Sequence, residues 1–166
     1  MKFHTALRAW ANRRLEKIDH VDLVVGIPSF NNDSTIEHVI DMVSQGIAQY
    51  YPDLRALIII SDGGSTDDSR EIAKEKMVHP FIEKIVAIYR GIPGKGSALR
   101  MIFEAASFLE ARTCLLFDSD LRSIKPEWVK SLADPVLNHG HDFVAPVYFR
   151  YKYDATITNN IAYNLT

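Results

Sequence analysis

Short apolar runs alternate with longer amphipathic stretches along this chain of 166 residues. The run at residues 57–60 is apolar on both faces, which is typical of parallel strands that are covered by helices on each side. Five of the runs predict strands, over residues 21–27, 54–60, 82–88, 113–117 and 143–149. Glycine, proline or acidic residues follow several of these runs and mark the strand ends.

Between the strands, apolar residues recur at helical spacing. The clearest set lies on one face of a helix that follows a capping box at residues 34–37, and it comprises Ile36, Val39, Ile40, Val43 and Ile47. Further helices are predicted after a cap at Ser65 or Thr66, over residues 97–109, from Pro126 onward, and over 156–166. Strands that alternate with helices predict an α/β fold with a mostly parallel, doubly wound sheet and helices on both faces.

The first 20 residues predict an amphipathic helix. Its apolar face comprises Phe3, Leu7, Trp10, Ala11, Leu15 and Ile18, and basic residues lie among them at Arg8, Arg13, Arg14 and Lys17. A basic amphipathic helix can contact a membrane surface or a partner. The same pattern favours a helix that packs on its own domain.

Composition narrows the class of protein. Apolar residues make up 47% of the chain and charged residues 24%, which is typical of a globular domain. The net charge of −2 argues against nonspecific nucleic-acid binding, and no apolar stretch predicts a transmembrane segment. The single cysteine, Cys114, allows no disulfide framework and fits a reducing, cytoplasmic setting. Its place in an apolar run predicts a buried thiol without a catalytic role.

The fourth predicted strand ends in Asp118-Ser119-Asp120. Two carboxylates one residue apart at a strand end lie at the carboxyl edge of the sheet, where open α/β folds bind ligands. Mg²⁺ and Mn²⁺ are hard cations that prefer carboxylate, water and phosphate oxygens. The motif therefore predicts a divalent-cation site, with Asp120 as the metal ligand.

Polar residues also follow the first and second strands. The first strand ends in Pro28-Ser29-Phe30-Asn31-Asn32, and the second in Asp62-Gly63-Gly64-Ser65-Thr66-Asp67. A nucleotide needs partners for its base, its ribose and its phosphates. The backbone of residues 28–30 can line the base, Asp62 can accept a hydrogen bond from the base edge, and Asp118 can accept one from a ribose hydroxyl.

A glycine-rich loop precedes the helix predicted over residues 97–109, and its sequence is Gly91-Ile92-Pro93-Gly94-Lys95-Gly96-Ser97. Its spacing is not that of a Walker A loop, which has four residues between its glycines and Ser or Thr directly after lysine. The dinucleotide pattern G-x-G-x-x-G is also absent after the first strand. A lysine between glycines at a helix N-terminus nevertheless suits an anionic ligand.

Together these motifs resemble the nucleotide-sugar half of GT-A glycosyltransferases of family 2. The family's Pro-x-x-Asn-Glu corresponds to residues 28–32, its Asp-x-Gly-Ser-x-Asp to 62–67, its Gly-Lys-Gly to 94–96, and its Asp-x-Asp to 118–120. The resemblance implies a nucleotide-sugar site formed by Pro28, Ser29, Phe30, Asn31, Asp62, Gly94, Lys95, Gly96, Asp118 and Ser119. It also implies that Asp62 contacts the base, Asp118 the ribose, and Asp120 a Mg²⁺ or Mn²⁺ ion.

Within this fold the chain is most similar to the glucosyl- and mannosyl-3-phosphoglycerate synthase type. The Asp118–Leu121 segment and polar residues between Tyr148 and Asn160 carry that similarity. It implies transfer of a hexose from a UDP- or GDP-hexose to a small phosphorylated or carboxylated acceptor. Asn32 departs from the family's acidic residue at that position, and the Gln-x-x-Arg-Trp motif of processive synthases is absent.

Two other functions remain open from the sequence. A nucleotidyltransferase also binds nucleotides on an α/β sheet, but it usually has a glycine-rich loop directly after its first strand. A non-catalytic nucleotide-sugar-binding fragment is the other alternative, because residues 1–166 are expected to form a single donor-binding domain with the acceptor half following residue 166. The final helix is expected to continue beyond the sequence, and its apolar face allows a homo-oligomer.

Overall fold

The computed structural model of the chain describes residues 4–147. Helices and strands alternate along it, as the apolar pattern predicts. In chain order they are α1 (Ala9–Leu15), β1 (Leu23–Ser29), α2 (Ile36–Tyr50), β2 (Ala56–Asp62), α3 (Ser69–Glu75), β3 (Ile82–Ile88), α4 (Lys95–Phe108), β4 (Thr113–Leu116) and α5 (Glu127–His139).

The four described strands form one parallel sheet in the order β3-β2-β1-β4. The chain moves outward from β1 through β2 to β3 and then returns across the sheet to β4. Parallel crossovers have a fixed hand, so a reversal of direction moves the connecting helix to the opposite face of the sheet. The reversal lies between β1 and β4, which is where open α/β sheets form a crevice for ligands.

Helices cover both faces of the sheet, which confirms the α/β prediction. Alternate residues of each strand point to opposite faces. On one face Leu23, Val25 and Ile27 of β1 pack with α2 and α5, and on the other Val24 packs with α4. The buried strands are apolar on both sides for this reason, and their inner positions have almost no exposed surface.

The fifth strand, predicted over residues 143–149, is not present in the part of that range that the structure describes. Residues 143–147 run without strand hydrogen bonding, and residues 148 and 149 lie outside the described range. Phe143 and Val147 are largely exposed, so this apolar run is not part of the sheet core. The predicted helix over residues 156–166 also lies outside the described residues.

The N-terminal helix is shorter than predicted. Residues 4–8 form bends and irregular backbone, and other parts of the chain bond the backbone groups of Ala6: its N–H donates to Glu104 at 2.7 Å, and its carbonyl accepts from the Arg90 N–H at 2.7 Å. Leu7, Ala11 and Leu15 are buried as predicted, whereas Trp10 is 49% exposed and does not belong to the packed face.

Two predicted helix caps are also wrong. Thr35, not Ser34, precedes α2, and its hydroxyl bonds the Ser119 carbonyl at 2.8 Å instead of capping the helix. The next helix begins at Ser69, so neither Ser65 nor Thr66 caps it. Within residues 4–147, no helix has the length and apolar character required to cross a membrane.

Candidate functional site

A cleft of about 590 Å³ opens at the carboxyl ends of β1, β3 and β4, beside the point where the strand order reverses. Residues from all four of the predicted motifs line it together with residues that the motifs did not include. The lining comprises Pro28, Ser29, Phe30, Asn32, Gly63, Tyr89, Pro93, Gly94, Lys95, Ala98, Asp118, Ser119 and Asp120. The sheet therefore brings most of the predicted site residues together.

The two carboxylates of Asp118-Ser119-Asp120 are both exposed to this cleft, while Ser119 between them is buried. Lys95 Nζ lies 2.5 Å from Asp118 Oδ1, so the lysine of the glycine loop and the acidic motif form an ion pair across the cleft. For Asp120, no hydrogen bond or ion pair is present within residues 4–147.

These groups fit a divalent cation that is shared with a ligand. No cluster of three His, Cys, Asp or Glu side chains with metal-binding geometry occurs in the described part of the chain. Mg²⁺ is usually held by one or two carboxylates, several waters and the phosphates of a substrate, not by a complete protein cage. The carboxylates of Asp118 and Asp120 can supply such oxygens. Asp118 is already paired with Lys95, so the carboxylate of Asp120 is more available to a cation.

The glycine loop is held by Tyr89, which follows β3 and is buried. Its hydroxyl accepts a hydrogen bond from the Gly94 N–H at 2.8 Å. Gly94 directly precedes α4 and has φ 137°, a backbone conformation that residues with a Cβ rarely adopt. This turn places Lys95 at the first position of the helix, and Gly96 follows in the first turn with open space around its Cα.

Asp62 does not line the cleft. It is completely buried, and its carboxylate accepts hydrogen bonds from the Gly64 N–H at 2.7 Å, the Ser65 N–H at 2.8 Å and the Ser65 hydroxyl at 2.5 Å. Arg70 Nε lies 3.7 Å from the same carboxylate. In this arrangement Asp62 shapes the loop after β2, and its contact with a base stays a prediction.

Asn31 is also outside the cleft lining, although it belongs to the first motif. It has φ 53°, a left-handed conformation that asparagine tolerates better than most residues. Its side-chain oxygen accepts from the Thr66 N–H at 2.9 Å, and its own N–H donates to the Ser65 hydroxyl at 3.0 Å. Asn31 thus joins the loops after β1 and β2, which indicates a supporting position.

Sequence reasoning missed Tyr89 and the involvement of Asn32. Tyr89 stands at the end of the third predicted strand, and the rule that parallel strands end at one edge of the sheet points to it. Asn32 accepts a hydrogen bond from the Ser119 hydroxyl at 2.6 Å across 87 residues of chain, and no spacing rule indicates such a pair.

Comparisons with known proteins agree with this geometry. The model of glycosyl transferase family 2 matches residues 24–161. A glucosyl-3-phosphoglycerate synthase of Petrotoga mobilis is 29% identical over a region that covers 76% of this chain and 38% of the synthase. The corresponding synthase of Mycobacterium tuberculosis is 32% identical over 82% of this chain and 41% of the synthase. The chain thus spans about two fifths of the length of these relatives.

A solved structure supports the same relationship. The crystal structure of glucosyl-3-phosphoglycerate synthase from Mycobacterium tuberculosis in complex with Mg²⁺ and UDP superposes with a TM-score of 0.54 at 27% identity. It matches 80% of this chain and 45% of that one. The parallel sheet, the cleft at its carboxyl edge and the family match lead to one conclusion. The chain belongs to glycosyl transferase family 2.

Proposed function

We propose that this chain binds a nucleoside-diphosphate hexose through a divalent cation, as the donor side of a glycosyltransferase that acts on 3-phosphoglycerate or a similar small acid. The observation that carries the proposal is the cleft in which Asp118, Asp120 and Lys95 meet at the reversal point of the sheet. Carboxylates for a cation and a lysine for phosphate are the groups that a nucleoside diphosphate requires.

The roles of the residues follow from their charge and position. Asp120 holds the Mg²⁺ or Mn²⁺ ion, which when bound offsets the negative charge that develops on the departing diphosphate. Lys95 contacts a phosphate oxygen from the start of α4, where the helix dipole also favours an anion. Asp118 exchanges its ion pair with Lys95 for a ribose hydroxyl.

The base is placed beside residues 28–30. Phe30 has 59% of its surface exposed and lines the cleft, so it offers an aromatic face next to the backbone of Pro28 and Ser29. UDP-glucose is the proposed donor because structures of the similar synthase from Mycobacterium tuberculosis contain UDP and UDP-glucose with Mn²⁺ or Mg²⁺. A GDP-hexose is the alternative donor and is included in the tests.

The acceptor is proposed by the same relationship. The similar synthases are named for 3-phosphoglycerate, and one of the solved complexes contains phosphoglyceric acid. Residues 148–160, where the similarity to such enzymes places polar groups, lie outside the described range. Release of UDP from UDP-glucose on addition of 3-phosphoglycerate separates transfer from binding without transfer.

Compartment, domain organisation and assembly belong to the proposal as well. Residues 1–166 are proposed to form one GT-A donor-binding domain. A cytoplasmic setting rests on the single cysteine and its lack of a disulfide partner. Homo-oligomer formation rests on apolar side chains that α4 exposes, such as Phe103 and Phe108, and light scattering at several concentrations tests it.

The binding proposal is tested by titrating UDP-glucose, GDP-mannose and UTP in Mn²⁺ and in EDTA. Wild-type protein is expected to bind UDP-glucose more tightly in Mn²⁺, and Asp120→Ala should remove that gain, at a cost of about 1–3 kcal/mol. Asp53→Ala is the matched control, because Asp53 is exposed just before β2, at the opposite edge of the sheet. Equal affinity in EDTA and Mn²⁺ contradicts the cation role, and preference for UTP favours a nucleotidyltransferase.

A further inference from the structure

Ser119 is held from two sides, although it stands between two exposed aspartates. Its side chain is buried, and its hydroxyl donates to Asn32 Oδ1 at 2.6 Å. Its backbone carbonyl accepts from the Thr35 hydroxyl at 2.8 Å in a buried hydrogen bond. The loop between β1 and α2 therefore contacts both the side chain and the main chain at the centre of the acidic motif.

Asn32 is itself fixed in orientation. The Phe30 N–H, which can only donate, lies 3.3 Å from Asn32 Oδ1, so the amide oxygen and not the amide nitrogen faces the motif. The Asn32 N–H donates to the Ser69 hydroxyl at 2.7 Å, and Ser69 in turn donates to Asp67 at 2.6 Å. The acceptor offered to Ser119 is thus anchored to the start of α3 and is not a freely rotating side chain.

The ladder between β1 and β4 does not reach the acidic motif. Its last paired residues are Gly26 and Leu116, and one further hydrogen bond joins the Phe117 N–H to the Gly26 carbonyl. Beyond that point, within residues 4–147, the hydrogen bonds that tie residues 118–120 to the neighbouring β1–α2 loop are the two at Ser119. Together with the exposed ion pair between Asp118 and Lys95, these two hydrogen bonds orient the motif.

We infer that Asn32 and Thr35 are positioning residues for the acidic motif and thus for the cation-binding carboxylate of Asp120. Fixing the side chain and the carbonyl of Ser119 fixes the direction in which the flanking Asp118 and Asp120 leave the backbone. Partners behind metal ligands orient those ligands, and their loss typically lowers metal affinity about 10- to 100-fold. This inference rests on the proposed function, because it assigns the two residues a task only if Asp120 binds a cation.

The family's acidic residue at position 32 gives the inference a sharp test. An acid at this position keeps an oxygen that accepts from Ser119 and from the Phe30 N–H, whereas alanine removes it. Asn32→Asp is isosteric, so it should retain the hydrogen bond and add a negative charge near the cation. This result would show that Asn32 acts through its acceptor oxygen and that the site does not require a neutral side chain at position 32.

The experiment measures the Mn²⁺ concentration that supports half-maximal UDP binding, and separately the affinity for UDP in EDTA. Asn32→Ala and Ser119→Ala are each expected to raise the required Mn²⁺ about 10-fold, a larger effect than either has on UDP affinity in EDTA. In the double variant the required Mn²⁺ should rise about as much as in either single variant, and not by the product of the two increases, because the two residues act through one hydrogen bond. Asn32→Asp should behave as wild type or need less Mn²⁺.

Thr35→Val and Ser131→Ala complete the design. Thr35→Val removes the second hydroxyl at nearly constant shape and should also raise the required Mn²⁺, which tests the positioning role even if Asn32→Ala fails to fold. Ser131 is exposed on α5 and its hydroxyl donates to the Glu127 carbonyl within the same helix, so its alanine variant should match wild type. Wild-type Mn²⁺ dependence for Asn32→Ala, Ser119→Ala and Thr35→Val overturns the inference and leaves the proposed function standing. Absence of Mn²⁺-supported UDP binding in the wild type overturns both.

Discussion

At the residue scale, the ion pair between Lys95 and Asp118 occupies the place proposed for the donor. Lys95 has 60% of its side chain exposed and Asp118 has 51%, so water screens their attraction and the pair adds little stability. Such a pair is readily exchanged for other partners. A nucleoside diphosphate offers both residues a partner at once, a phosphate for Lys95 and a ribose hydroxyl for Asp118.

Lys95→Ala is expected to weaken UDP binding and to leave uridine binding nearly unchanged, because only UDP carries the phosphates. Added salt should reduce this difference, since the lost contact is an ionic attraction. Calorimetric titrations of both ligands at two salt concentrations measure it. Lys17→Ala removes one exposed positive charge outside the cleft and serves as the control. If Lys95→Ala weakens uridine as much as UDP, the phosphate assignment is wrong.

Asp62 is expected to matter more for stability than for contact with the ligand. Asp62→Ala leaves three loop donors without their acceptor and Arg70 without its countercharge, which should lower the free energy of unfolding by about 2–4 kcal/mol. Urea unfolding measures it, with exposed Asp53→Ala as the control, expected within about 0.5 kcal/mol of wild type. Wild-type stability combined with lost uridine binding would instead favour direct contact with the base.

The acidic motif, the lysine loop and residues 28–30 could be predicted as neighbours, because parallel strands end at one edge of the sheet. The burial of Asp62 could not, since it depends on how the glycines after it turn the backbone back onto the carboxylate. Asn32 and Ser119 are 87 residues apart, and their hydrogen bond depends on the final packing of two loops. Sequence spacing contains no information on such a pair.

At the element scale, the contact between β1 and α4 sets the position of Lys95. A Cβ built on Gly26 would lie 2.4 Å from Ile102 Cγ2, so α4 lies against the strand where a side chain would otherwise be. Because α4 begins at Lys95, any displacement of the helix also displaces the lysine in the cleft. The glycine thus connects core packing with the site.

Gly26→Ala is expected to lower the free energy of unfolding by about 1–3 kcal/mol, which is typical of an overpacked core. It should also weaken UDP binding through the shift of α4. Gly96→Ala is the matched control for stability, since a Cβ there meets nothing within 4 Å and alanine favours helix. Denaturant unfolding of both variants tests the point, and equal stability of the two would contradict close packing at Gly26.

The apolar pattern predicted the four described strands and their alternation with helices, because continuous runs such as Leu57–Ile60 suit a sheet covered on both faces. It failed over residues 143–147, where apolar residues are exposed and unpaired with the sheet. It also extended α1 too far, because Glu104 and Arg90 bind the backbone of residues 4–8. For residues 4–8 the decisive interactions come from parts of the chain that are distant in sequence.

At the scale of the whole molecule, one free cysteine reports on the integrity of the fold. Burial raises the pKa of the Cys114 thiol from 9.0 to about 12. The thiolate is the reactive form, so the raised pKa makes the partly buried Cys114 slow to react. Cys114 lies in β4, the strand that precedes the acidic motif, so its protection depends on the sheet beside the cleft.

Alkylation by iodoacetamide at pH 8 is therefore expected to be slower in the folded protein than in urea, by about a hundredfold or more. Mass spectrometry over time measures the modified fraction. The rate should rise in Gly26→Ala if that variant opens more often. Rapid alkylation of the folded wild type would show that β4 is not packed as described.

The central claim is that a divalent cation and the diphosphate of a nucleotide meet at Asp120, in the cleft at the carboxyl edge of the sheet. Crystals grown with UDP and Mn²⁺, measured at the manganese absorption edge, locate the cation directly by anomalous scattering. The account predicts one strong peak at coordination distance from the Asp120 carboxylate and from the phosphates, with uracil beside residues 28–30. Manganese and UDP bound away from Asp118 and Asp120 would contradict it.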